Sequence, residues 1–137
     1  MASDFLGTYN PVDVSLIISG LTVSGFKDGT FIKIERLEKE NYKTHVGAYG
    51  EVTRTKNSNK ATKVTFTLKQ MSPFNQKMDV LKMQPVAFPV MVKDKSSGLV
   101  AIADSTWVAE EPNEDFADEE SGIEWVLVCA SMIKGRI

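Results

Sequence analysis

The chain has 137 residues and a mass of 15.2 kDa, with 42% hydrophobic and 25% charged residues, a profile that excludes a disordered, collagen-like or coiled-coil protein. A single cysteine, Cys129, and a single histidine, His45, exclude an intrachain disulfide, a thiolate zinc cluster and multi-histidine metal chemistry. The net charge of −2 conceals an uneven distribution: residues 110–124 hold eight acids and no base, whereas the rest of the chain carries 16 bases against 10 acids.

No apolar run approaches the roughly 20 residues of a membrane helix, and the opening Met-Ala-Ser-Asp-Phe lacks the basic and apolar regions of a signal peptide. The expectation is a soluble chain, kept in a reducing compartment, with no membrane partner.

The hydrophobic period is 2 along most of the sequence. Val12, Val14, Leu16 and Ile18 alternate with polar residues as a half-buried strand does. Ser19-Gly20 predicts a bend before Leu21-Thr22-Val23, and Lys27-Asp28-Gly29-Thr30 predicts a tight turn. Residues 31–37 return as a second strand, so a first hairpin is expected here. Residues 38–50 mix charge with Tyr42, Val46, Tyr49 and two glycines, and are expected to be a long loop. Residues 51–56 then pair, across a turn at Asn57-Ser58-Asn59, with the alternating residues 61–70.

One helix is predicted. Ser72 suits its N-cap and Pro73 its first position, and Phe74, Met78 and Leu81 follow at helical spacing until Pro85 stops it. Val86, Phe88, Val90 and Val92 alternate as a strand in which Pro89 signals an edge or a bulge. Asp94-Lys95-Ser96-Ser97-Gly98 turns the chain into a returning strand over residues 99–108. After the acidic segment, the apolar run Ile123-Glu124-Trp125-Val126-Leu127-Val128-Cys129-Ala130 predicts a strand buried on both faces. The fold class expected is mainly β: an antiparallel β-sandwich or barrel of about seven strands with one packed α-helix, in a single domain over residues 1–137.

The residues offer little for catalysis. Gly47-Ala48-Tyr49-Gly50 lacks the lysine and helix of a phosphate loop. His45 has no serine or cysteine elbow nearby, and Cys129 sits among apolar neighbours as a small hydrophobe would. The acids of residues 112–118 lack the glycine and spacing of a calcium loop. No catalytic residue, metal site or cofactor is expected. The acidic segment reads either as a solvated loop or as a docking segment for a basic partner.

Four stretches, in this order, resemble the tail tube proteins of contractile-tailed bacteriophages in their small single-domain form. They are Tyr9-Asn10-Pro11-Val12-Asp13-Val14 with Ile18-Ser19-Gly20; Gly50-Glu51-Val52-Thr53-Arg54-Thr55-Lys56-Asn57; residues 61–70 running into Ser72-Pro73-Phe74-Asn75; and Phe88-Pro89-Val90-Met91-Val92-Lys93-Asp94, followed by Trp107-Val108 and Glu124-Trp125-Val126-Leu127. The resemblance implies a non-enzymatic subunit that forms hexameric rings. Stacked rings would make a hollow tube, the conduit for genome ejection, located in the virion tail and assembled in the host bacterial cytoplasm. The implied partners are further copies of the chain, the tail sheath protein, baseplate and tail terminator proteins, and double-stranded DNA passing through the lumen without specific binding.

With that resemblance, Tyr42, Val46 and Tyr49 are expected at a contact between subunits or rings, because aromatic residues carry much of interface binding. Glu114, Asp115, Asp118 and Glu119 are expected either to dock a basic sheath subunit or to line the lumen, with the outer surface preferred. The alternatives from other classes are a monomeric β-barrel binding module, which needs a concave apolar pocket, and a small hydrolase, which needs a clustered acid pair.

Overall fold

The computed structural model describes residues 6–137; the expectation drawn from the first five residues lies outside them. Among the described residues the chain is mainly antiparallel β with one α-helix, as the alternation predicts, and has ten strands rather than about seven. Among the described residues the sheets do not close into a barrel.

β1 (Val14–Ile18) turns through Ser19 and Gly20, both at positive φ (52° and 82°), into the short β2 (Leu21–Thr22). A two-residue turn of this hand matches the twist of the strands it joins. It also closes the hairpin early, which overturns the expected pairing of residues 12–18 with 31–37. The other edge of β1 is taken by β7 (Phe88–Asp94), and β3 (Ile32–Arg36) pairs with β6 (Thr62–Lys69).

A second correction concerns residues 38–50. They are not one long loop: β4 (Tyr42–Val46) pairs with β5 (Val52–Lys56) as a two-stranded sheet of its own. Residues 51–56 therefore do not pair with 61–70. Asn57-Ser58-Asn59 is a corner rather than a hairpin turn, because the Asn57 and Asn59 side chains accept from the amides of Asn59 and Ala61, each at 3.0 Å.

The helix α1 (Phe74–Met83) starts one residue later than predicted, with Pro73 as its N-cap. The Ser72 hydroxyl still accepts from the Phe74 amide at 3.3 Å while donating to the Ser24 carbonyl at 2.7 Å. That second bond brings Gly25, at φ +79°, so close that a Cβ there would lie 2.6 Å from the Ser72 side chain. Gln84 leaves the helix with extended dihedrals, as a residue preceding a proline does.

The remaining strands are β8 (Leu99–Val108), β9 (Gly122–Cys129) and β10 (Met132–Arg136). The main sheet runs β2-β1-β7-β8-β9-β6-β3, with β10 also paired to β8. The predicted irregularity at Pro89 is a bulge, since the register of β7 on β8 shifts between Phe88 and Val90. β8 is shared: residues 99–103 lie between β7 and β10, and residues 106–108 pair with β9.

Both ends of this sheet turn one face into a single core. Leu16, Ile18, Val90, Val92, Ala101 and Ala103 meet Val64, Phe66, Leu68, Trp125, Leu127 and Cys129 there. Phe74 and Met78 of α1 cover the assembly, and the indole Nε1 of Trp125 donates to Asn75 Oδ1 at 3.0 Å. Fully burying a side chain of this kind contributes about 1.5–3 kcal/mol, so the β6–β9 pair, with Phe66, Leu68, Val64, Trp125 and Leu127 all essentially inaccessible, is the mechanical centre of the subunit.

Candidate assembly surfaces

The β4–β5 hairpin is anchored at its base and free beyond it. Arg36 donates through Nε and Nη2 to the Asn59 carbonyl at 3.2 and 2.8 Å, and through Nη1 to Asn41 Oδ1. Asn57 donates its side-chain amide to Glu38 Oε2 at 2.8 Å and to the Glu40 carbonyl at 2.9 Å, and its backbone amide to the Asn41 carbonyl at 2.8 Å. These bonds hold the two ends of the hairpin together against the edge of β3. Every residue of β4 and β5 is exposed.

The register places Tyr42 opposite Lys56, Thr44 opposite Arg54 and Val46 opposite Val52. Tyr42 and Val46 therefore share one face, as an interface would require, together with Val52 and Arg54. The Arg54 guanidinium lies 4.2 Å from the centroid of the Tyr42 ring, a cation–π contact that stiffens this face. Tyr49 stands apart at the tip, 97% exposed. The sequence reading missed Val52 and Arg54; their signal was the alternation of residues 51–56, which identifies a face only once β4 is recognised as its partner.

The four acids Glu114, Asp115, Asp118 and Glu119 are exposed in the segment between β8 and β9, and none forms an ion pair among the described residues. The segment is tied down at three points. Gln70 donates to the Asp115 carbonyl at 2.7 Å and accepts from the Ser121 amide at 3.0 Å, and Glu120 Oε1 accepts from the Met71 amide at 2.9 Å. At its start, Glu111 pairs with Lys82 Nζ at 2.7 Å. The Glu111 hydrogen bond, aided by Asp79 and opposed by partial burial, raises the Lys82 pKa above the usual lysine value. That contribution is complete below the ordinary lysine range and lost only as pH rises through the raised value.

Two more surfaces emerge that sequence order hid. Ile17, Met91, Ile102 and Ile133 are successive register partners on β1, β7, β8 and β10 and form an apolar row on the outer face of that sheet. Separately, a groove of about 960 Å³ opens between β3 and β10 beside the hairpin base. Its lining includes Lys33, Arg36, Lys39, Lys56, Lys60 and Lys134, with Glu35 as its one acid. These bases are scattered over a hundred residues of sequence, so no local pattern announces the groove.

Catalytic alternatives find no support in this geometry. His45 is exposed and its ring Nε2 lies 3.2 Å from the Thr55 hydroxyl, a pair on the open surface of the hairpin with no enclosed cavity around it. Burial pushes the Cys129 thiol up, against the weaker effect of the Thr106 hydroxyl that donates to its sulfur at 3.2 Å, so the thiol stays protonated. The groove is polar and open, unlike the apolar cavity of a small-molecule binder.

Comparison with known proteins identifies the family. The family described as bacteriophage PhiTE tail tube protein matches residues 6–135. A protein of Pseudomonas phage KPP10, described as structural protein ORF10, is 27% identical over 133 residues, which cover 88% of this chain and 76% of that one. Among solved structures, the tube-terminating cap of the anti-feeding prophage superposes with a TM-score of 0.64 at 7% identity, over 100% of this chain and 95% of that one. The PVC extracellular contractile injection system, in its extended state, supplies two more. Its sheath/tube terminator matches at a TM-score of 0.63 and 8% identity, covering 98% and 99% of the two chains. Its sheath–tube complex matches at 0.62 and 8%, covering 95% and 93%. At these identities the structures speak for the fold alone, whereas the family match spans nearly the whole chain. The chain belongs to the bacteriophage PhiTE tail tube protein family and is a structural protein of the phage tail, not an enzyme.

Proposed function

We infer that the chain assembles into hexameric rings that stack into the inner tube of a contractile tail, the conduit through which the genome leaves the virion. The observation that carries this reading is the hairpin. A two-stranded ribbon is at best marginally stable alone in water, and β4–β5 exposes Tyr42, Val46, Tyr49 and Val52 on a sheet of its own that no third strand of the described residues joins. A ribbon of this kind is stabilised by packing on a neighbour, and its place beyond the body of the subunit suits a contact with the next ring. Among the described residues no further strand pairs with the outer edges of β3 and β10, and contacts between unlike edges of successive subunits close into rings.

A tube wall facing DNA has to let phosphates slide rather than bind them through released counterions. The outer face of β1, β7, β8 and β10 carries the apolar row flanked by one base, Lys93, and one acid, Asp104. It offers no positive surplus and is the face turned toward the bore on this reading. The sheath, the baseplate and the tail terminator are the expected partners of the tube's outer wall and ends, in a virion assembled in the host cytoplasm.

Negative-stain microscopy and light scattering of the purified chain test the proposal. Six-fold rings or tubes about the width of a phage tail are expected. A strictly monomeric chain at high concentration, both alone and with the sheath protein added, overturns it.

A further inference from the structure

The groove and the acidic segment lie at opposite ends of the same strand. The groove takes in Lys60 and Thr62 at the start of β6, and the acidic segment is held by Gln70 and Met71 just beyond its other end. At about 3.3 Å per residue, the eight-residue β6 separates them by roughly 23 Å. One pole of the subunit therefore presents six cationic side chains around a groove, and the other presents exposed, unpaired carboxylates on an extended strap.

We propose that the acidic segment of one copy seats in the basic groove of the next copy, so that subunits join head to tail. This rests on the assembly reading above and specifies its contact. It gives Glu114, Asp115, Asp118 and Glu119 to a second copy of this chain rather than to the sheath or the lumen. Three features favour a second copy as the occupant. The charges are complementary in sign and both sides are exposed. The segment is anchored away from its own groove by the Gln70, Met71 and Lys82 bonds. And the groove adjoins the hairpin base, with Tyr42 and Lys56 in its lining, so one approach of a neighbour engages the groove and the hairpin's apolar face together. Contact between two different surfaces is heterologous and propagates from copy to copy, which a tube requires. Opposite charges at the two poles also steer the encounter and reject the inverted orientation, in which like charges would meet.

Charge reversal tests the contact. One variant carries Glu114→Lys, Asp115→Lys, Asp118→Lys and Glu119→Lys; a second carries Lys39→Glu, Lys60→Glu and Lys134→Glu. All seven positions are exposed. Lys33, paired with Glu35, and Arg36, bonded to Asn59 and Asn41, are left alone because they already have partners within the chain. Sedimentable tube is measured, with circular dichroism as the folding control. Each variant alone is expected to lose roughly tenfold or more of its tube, and raised salt to lower the wild-type yield. An equimolar mixture of the two variants is expected to recover tube, because each reversed segment then meets an oppositely charged groove. Recovery also rules out misfolding as the cause of the loss.

Wild-type tube yields from both single variants overturn the contact and leave the assembly reading standing. So does loss that the mixture does not restore. Tubes that still form from the acid-reversed variant but no longer bind sheath assign the acids to the sheath instead. A wild-type chain that forms no tube overturns the assembly reading and the contact with it.

Discussion

β6 and β4 follow the same local rule and end in opposite environments. β6 alternates Thr62, Val64, Phe66 and Leu68, all buried, with Lys63, Thr65 and Thr67, which are half-buried. β4 alternates Tyr42, Thr44 and Val46 with Lys43 and His45, and buries none of them. β6 has β3 on one side and β9 on the other, over a core sealed by α1, whereas β4 has only β5. Period 2 thus makes a strand in both places, but burial comes from the layers packed around it. The first strand serves the subunit, and the second is left for a neighbour.

Three variants probe that contrast. Trp125→Ala on β9 strikes the buried side hardest: it empties the largest fully buried site and removes the hydrogen bond to Asn75. A loss of about 3–5 kcal/mol is expected in denaturant unfolding; a loss below about 1 kcal/mol would show that β6 and β9 are not the centre of stability. Gly25→Ala is smaller. It combines a positive φ with a Cβ placed 2.6 Å from Ser72, and strain of this kind costs about 1–3 kcal/mol. An unchanged thermal midpoint would mean that Ser24 and Gly25 can shift freely away from Ser72.

The smallest effect on stability is expected in the hairpin. Tyr42→Ser, Val46→Ser and Val52→Ser together should leave unfolding within about 0.5 kcal/mol of wild type per exposed site, because all three are exposed and only Tyr42 gives up a contact, the one its ring makes with Arg54 on the surface. Tube formation should nevertheless fail in sedimentation. Tubes that form normally would make the hairpin a decoration and shift the weight of assembly onto the strand edges.

How legible each region was follows from the same contrast. β7, β8 and β9 could be read within a few residues because each has a buried face, and burial writes the period into the sequence. α1 was legible from Ser72, Pro73 and Pro85, which act through local hydrogen bonding and fixed φ. β4 and β10 were missed because only Met132 among their residues is buried, so neither shows an apolar stripe. Tyr42 and Val46 were legible as interface residues by type, but their common face was not visible until β5 supplied the register.

The sequence by itself determined the class of the fold, the helix, the positions of the main turns and the absence of ligand sets for disulfide or multi-histidine chemistry, since those depend on residue type and on neighbours a few positions away. Tertiary structure alone decided the pairings: that β1 joins β7 rather than β3, that β6 lies between β3 and β9, and that β8 is shared among three strands. It also decided the polarity of the subunit. Lys33 and Lys134 are a hundred residues apart and meet in one groove because β3 ends the main sheet beyond β6 and β10 pairs with β8 alone. Strand pairing is set by which buried faces can share one core, a condition on the whole chain at once, and no window of sequence contains it.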